Sequence, residues 1–159
     1  MTVITHNQKR SRLAEMMDRP GGISVGVALA QARTNLDALQ DQARDIIARN
    51  IAALLARPDP DLIEPLRLDA AYSASSQIID AASPFSMDDL CTAAKGLCDL
   101  LDAAPRQGGF DWRIATVHAQ AMKVLLSLPP EEQAARTAIL TNLHEVLRRK
   151  LPAADQSAG

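Results

Sequence analysis

The stretch from Ser24 to Ala56 constrains the fold most, because it contains no proline and only one glycine, Gly26. Apolar residues recur along it every three or four positions, which is the spacing of one helix face. They are Leu29, Ala32, Leu36, Leu39, Ala43, Ile46, Ile47, Ile51 and Leu54. The pattern predicts one long helix of about 50 Å. Ser24 is its predicted N-cap, since a serine hydroxyl can accept a hydrogen bond from a free backbone N–H.

Prolines and glycines divide the rest of the chain into shorter segments with helical periodicity. The predicted helices cover 65–82, 87–103, a fourth segment that Asp111 caps and Pro129 ends, and 130–150. Ser86, with Asp89 three residues later, predicts a capping box for the third helix. The short connections favour antiparallel neighbours. We therefore predict an all-α, up-and-down bundle of four to five antiparallel helices with a long first helix, between polar tails at 1–22 and 152–159.

Composition narrows the function classes. Hydrophobic residues make up 47% of the 159 residues but aromatic residues only 3%, which predicts an aliphatic core. The net charge is −2, so the chain lacks the basic surface that a nucleic-acid partner would need. No run approaches the roughly 20 apolar residues of a membrane span, and residues 2–12 lack the apolar centre of a secretory signal. We expect a cytoplasmic protein of one bundle domain, residues 23–151, with neither membrane nor nucleic acid as a partner.

The sequence contains none of the common catalytic motifs. Phosphate-binding glycine loops, Cys-x-x-Cys, His-Glu-x-x-His and Gly-x-Ser-x-Gly are all missing, which argues against an enzyme and against a cofactor. Cys91 and Cys98 lie about 10 Å apart along one helix, too far to bond, and are predicted to be reduced core residues. His118 and His144 lack the further carboxylates or thiolates of a metal site. Trp112 beside Phe110 indicates a packed helix start rather than a ligand cage.

His118 is the residue with the clearest chemical alternative. Its position predicts an imidazole on or beside the inner face of the fourth helix, where phosphotransfer domains place their phosphorylated histidine. Those domains follow the histidine with a lysine at the third position, whereas here Lys123 comes five residues later. We therefore favour a structural histidine and keep a phosphoacceptor as the alternative.

Three short stretches resemble a bacterial family. Residues 87–91 (Met-Asp-Asp-Leu-Cys), 112–113 (Trp-Arg) and 117–122 (Val-His-Ala-Gln-Ala-Met) are similar to small all-helical accessory proteins encoded in chemotaxis operons, the CheE type. His118 and Ala121 fit that pattern, whereas Gln120 and Met122 depart from it. The resemblance implies an accessory protein of bacterial signalling and carries no catalytic residues over to this chain.

Helix lengths predict self-association. The later helices have about 17 to 21 residues, or roughly 26 to 31 Å, and cannot cover a first helix of about 50 Å. We therefore predict a homodimer in which Leu29, Leu36 and Leu39 pack around a two-fold axis. A kink near Gly26, or the amino-terminal segment folding back, is the monomeric alternative. The predicted function is a non-enzymatic interaction module in signal transduction, possible partners including a response regulator, with histidine phosphotransfer through His118 as the alternative.

Overall fold

The computed structural model describes residues 24–56, 61–107 and 109–151, and these residues contain five α-helices and no strand. The helices are α1 (Val25–Ala56), α2 (Glu64–Ala82), α3 (Asp88–Ala103), α4 (Trp112–Ser127) and α5 (Gln133–Lys150). Short 3-10 turns at Ser83–Phe85 and Ala104–Gln107 follow α2 and α3. The predicted all-α bundle with a long first helix is therefore confirmed. The predicted tails at 1–22 and 152–159 lie outside the described residues.

The chain divides into two compact units, residues 1–38 and 39–159. In the first unit, the described residues form the beginning of α1, and their side chains are exposed throughout. Ser24 is confirmed as the cap of this helix, because its Oγ lies 3.3 Å from the Val27 backbone nitrogen and accepts a hydrogen bond from it.

The second unit contains the core, and α3 lies at its centre. This helix packs against α2, α4 and α5, and it buries more residues than any of the other four. The largest fully buried apolar side chains are Ile47, Ile78, Leu97, Met122 and Leu125. An aliphatic core was predicted from the composition and is confirmed. Each such side chain, when fully buried, contributes about 1.5–3 kcal/mol of transfer free energy.

Local sequence signals at the helix ends gave mixed results. Asp111 caps α4 as predicted, with its Oδ1 accepting from the Arg113 backbone nitrogen at 3.1 Å. The capping box at Ser86 was wrong. Residues Ser83–Phe85 form a 3-10 turn with Pro84 in its first positions, and Ser86 ends that turn in the left-handed conformation, with φ of 54°. Met87 consequently takes the N-cap position of α3.

The fifth helix begins later than predicted. Pro130 and Glu131 lie in a turn that the Glu132 N–H closes by donating to the Pro129 carbonyl at 3.2 Å, so α5 starts at Gln133. Its last turn carries Arg148, Arg149 and Lys150. These cations suit the negative end of the helix dipole.

None of the five helices described has the combination of length and apolarity that would let it span a membrane.

Candidate functional site

Two parts of the same α1 stripe differ sharply in burial. Leu29, Leu36 and Leu39 are 55%, 58% and 53% exposed, and we call these three residues the α1 apolar face. Ile47 and Leu54, further along the helix, are 0% and 2% exposed. The three predicted interface residues therefore lie on one exposed stripe, since residues spaced by three and seven positions share a helix face.

The positions that flank the α1 apolar face carry little charge. A helical projection places Ala28, Arg33, Asn35 and Gln40 beside the face, and only Arg33 among them is charged. Asp41 points to the opposite side of the helix in the same projection. The margins of the face are thus neutral polar or apolar, apart from one guanidinium.

His118 lies in the interior, on the inner face where the sequence pattern placed it. Its ring is 0% exposed, and Nδ1 lies 3.0 Å from the Ile114 carbonyl oxygen, to which it donates a hydrogen bond. This tautomer leaves Nε2 as an acceptor, and Nε2 has no hydrogen-bond partner within the described part of the chain. Burial lowers the pKa of His118, so the ring is held in its neutral form.

A cavity of about 50 Å³ lies beside this ring, between α3, α4 and α5. Its lining residues are Thr92, Ala93, Gly96, His118, Leu140, Leu143, His144 and Leu147. A Cβ atom placed on Gly96 would lie 2.7 Å from Leu147 Cδ1 and 3.9 Å from His118 Nε2. The absence of a side chain at Gly96 is therefore what allows Leu147 to pack so closely over α3.

His118 and His144 both line this cavity, which brings together the two histidines considered for a metal site. His144 is exposed, whereas His118 is buried. The described residues contain no group of three or more histidine, cysteine or carboxylate side chains placed to hold a metal ion.

The two cysteines are separate thiols, so the prediction that they do not bond to each other is confirmed. Cys98 is buried, and burial, with Asp102 and Asp99 nearby, raises its pKa to about 11. Burial also raises the pKa of Cys91, which is partly exposed. Since the thiolate is the nucleophilic form, neither environment favours a reactive cysteine.

A larger cavity of about 510 Å³ lies where α3 begins and α4 ends. Arg44 and Arg136 line it, but their guanidinium groups bind main-chain carbonyls. Arg44 Nη2 donates to the Leu126 oxygen at 2.8 Å, and Arg136 Nη2 donates to the Leu128 oxygen at 2.6 Å. These arginines were not singled out from the sequence, because a charged residue on a helix surface gives no signal of such a contact.

Trp112 packs at the start of α4, as predicted. Its ring meets Phe110 edge to face, with ring centroids 5.1 Å apart, and the Arg67 guanidinium carbon lies 4.4 Å from the Trp112 ring centroid. Glu64 Oε1 accepts a hydrogen bond from the Phe110 backbone nitrogen at 3.0 Å. These contacts join the first turn of α2 to the first turn of α4.

The described residues thus define an all-α bundle protein with an exposed apolar helix face. Comparisons with protein-family models, curated proteins and solved structures gave no match.

Proposed function

We propose that this protein is a non-enzymatic interaction module in bacterial signal transduction. The observation that carries the proposal is the exposure of the α1 apolar face. Three leucines aligned on one helix face lose favourable transfer free energy while they contact water, and aligned apolar surface of this kind commonly marks an interface.

A second copy of the chain is the partner that this face fits best. Leucines at heptad spacing are suited to packing between two helices. A two-fold axis brings identical surfaces of the two copies together, so like charges beside the face would repel each other across the interface. Three of the four flanking positions are uncharged, which keeps this repulsion small. The segment from Val25 to Leu39 extends about 21 Å, which allows several layers of contact.

The signalling context comes from the sequence. The stretches around Met87, Trp112 and His118 resemble chemotaxis-operon accessory proteins, and an accessory role requires binding surfaces rather than catalytic groups. A cytoplasmic response regulator or another signalling protein is the further partner that we propose for the dimer.

Light scattering at micromolar concentration tests the dimer directly. We expect a mass about twice the 17.1 kDa of the chain. Leu36→Glu should return the mass to that of one chain, because it places a carboxylate in each half of the interface. Thr34→Glu, on the opposite side of the same helix, is the matched control and should leave the dimer intact. A wild-type mass near 17.1 kDa would contradict the proposal.

Histidine phosphotransfer through His118 is the alternative, and one observation favours it. Nε2 carries a lone pair without a hydrogen-bond partner among the described residues, and this atom could attack the phosphorus of an acyl phosphate, releasing the carboxylate. The complete burial of the ring weighs against it, since the bundle must open first.

Incubation with a phosphorylated receiver domain decides between the two functions. Acid-labile phosphate on the wild-type chain that disappears in His118→Gln would establish phosphotransfer and overturn the non-enzymatic proposal. We expect no such transfer.

A further inference from the structure

Helix α5 buries fewer residues than any of the other four helices. Of its 18 residues, all of which the structure describes, only Leu143 is buried. Its larger apolar residues other than Leu143, among them Leu140 and Leu147, are only partly buried, and Ala134 and Ala138 are exposed. Elements with few buried apolar contacts open at lower free energy than the core. We therefore expect α5 to separate from α3 and α4 more readily than these two separate from each other.

The small cavity between α3, α4 and α5 is lined by a buried side chain whose protonation would change the local charge, the His118 imidazole. His118 and Leu147 both line the small cavity and both approach Gly96, and the His118 Nε2 atom has no hydrogen-bond partner in the described ranges. A neutral ring suits this place. A proton on Nε2 would create both a buried charge and a buried N–H donor, which is costly without an acceptor.

The groups around the cavity do not compensate for such a charge. Helix α3 contributes Thr92, whose hydroxyl donates to the Asp88 carbonyl at 2.9 Å, and the uncharged Ala93 and Gly96. Helix α5 contributes three leucines and His144, and α4 contributes only His118. Among the residues that the structure describes, no carboxylate lines the cavity. His144 is the other titratable group there, and a proton on it adds a second positive charge rather than a counter-charge.

We propose that proton uptake by His118 releases α5 from α3 and α4, so that α5 is an acid-sensitive cover over this side of the bundle. In the open form, water reaches the ring and stabilises the imidazolium. Opening also exposes Ala93 and Gly96, which gives the protein a second surface that is hidden at neutral pH.

The direction of the pH dependence follows from linkage. Burial holds the pKa of His118 below its usual value of 6.5 in the closed form, whereas a solvated ring regains about that value. The closed form is therefore fully favoured above about pH 6.5. Below that pH, the ratio of open to closed molecules rises by up to about tenfold per pH unit until the closed-form pKa is reached.

Hydrogen exchange of the full chain at pH 7.5, 6.5 and 5.5, corrected for intrinsic exchange rates, tests the proposal. Between pH 7.5 and 5.5, we expect protection of the α5 amides to fall by up to about tenfold, with most of the fall below pH 6.5, while the α3 amides keep theirs. In His118→Leu the α5 protection should be independent of pH. His144→Gln, the matched control in the same cavity, should respond as the wild type does.

Four outcomes would overturn the proposal. They are α5 protection that does not change with pH, an equal loss in α3 and α5, a response that persists in His118→Leu, and a response that His144→Gln abolishes. If His118→Leu does not fold, the ring itself supplies the test in the wild-type chain. Its NMR signal should titrate with the same midpoint as α5 opening, and titration without any change in α5 would overturn the proposal.

Discussion

Arg136 Nη1 lies 2.9 Å from Asp89 Oδ2, and this ion pair joins the first turn of α5 to the first turn of α3. The same guanidinium donates from Nη2 to the carbonyl oxygens of Leu125 and Leu128, at 3.2 and 2.6 Å. One largely buried cation therefore connects the beginnings of two helices to the end of α4, where the helix dipole is negative.

Replacing Arg136 by alanine should destabilise the bundle by about 2 kcal/mol, because the Asp89 carboxylate and three carbonyl oxygens, that of Pro129 included, would lose their donor. The measurement is urea unfolding followed by circular dichroism. Arg148→Ala is the control on the same helix. Its partner Glu145 lies 3.4 Å away in an exposed pair, so the expected loss is below about 0.5 kcal/mol. Equal decreases in the free energy of unfolding for the two variants would show that the Arg136 contacts stabilise the bundle no more than an exposed ion pair does.

The two parts of α1 should respond differently to truncation. Ile47→Ala removes a fully buried side chain and should cost about 2–5 kcal/mol. Leu29→Ala, at an exposed position, should cost less than about 0.5 kcal/mol in the monomer. Unfolding at low protein concentration, where association is minimal, measures both values. A large decrease in the free energy of unfolding of the Leu29→Ala monomer would mean that another part of the same chain covers this face.

The cap of α4 should depend on pH. The hydrogen bonds from Arg113 lower the pKa of Asp111, so its ionised form stabilises the native state above about pH 4, and this contribution disappears as the pH falls through the lowered pKa. Asp111→Ala should lower the free energy of unfolding by about 1 kcal/mol at pH 7, and this difference from wild type should shrink progressively as the pH falls below about 4. Asp111→Asn keeps an acceptor oxygen and should lose less at pH 7. A difference between Asp111→Ala and wild type that stays constant with pH would refute this role for the charge.

The two thiols should differ in reactivity. With a pKa of about 11, Cys98 carries roughly a hundredfold less thiolate at pH 8 than a thiol of the ordinary value 9.0. Partly exposed Cys91 should therefore be alkylated first by iodoacetamide, as followed by mass spectrometry of the two peptides. In urea, which unfolds the protein and exposes both thiols, the alkylation rates of Cys91 and Cys98 should become similar. Modification of Cys98 at the rate of Cys91 in the native protein would contradict the burial of Cys98.

Periodicity predicted the helices well because it is a local property of the chain. It could not predict which part of α1 is buried, since Leu29 and Ile51 look alike in such a pattern. Burial depends on which other segments pack against a given turn, and that is decided by tertiary structure. Ser86 shows the same limit on a smaller scale, because it ends the preceding 3-10 turn in the left-handed conformation, which a capping-box pattern does not predict.

The candidate site was predicted only in part. The pattern of α4 placed His118 on the inner face, and the structure confirms this position. The His118 Nε2 atom has no hydrogen-bond partner among the described residues, and the packing of Leu147 over Gly96 and the contacts of Arg136 join residues that are distant in sequence. Single-sequence patterns carry no information on such pairs, so these features became visible only in three dimensions.

The close approach at Gly96 gives position 96 the role of a spacer. A Cβ atom at position 96 would lie 2.7 Å from Leu147 Cδ1. This methyl group is the end of a side chain that can rotate, and the cavity beside His118 is the space into which it can move. Alanine can therefore be accommodated by exchanging that empty volume for a methyl group. A bulkier residue exceeds the space and wedges α5 away from α3, which would produce a permanently open protein at any pH.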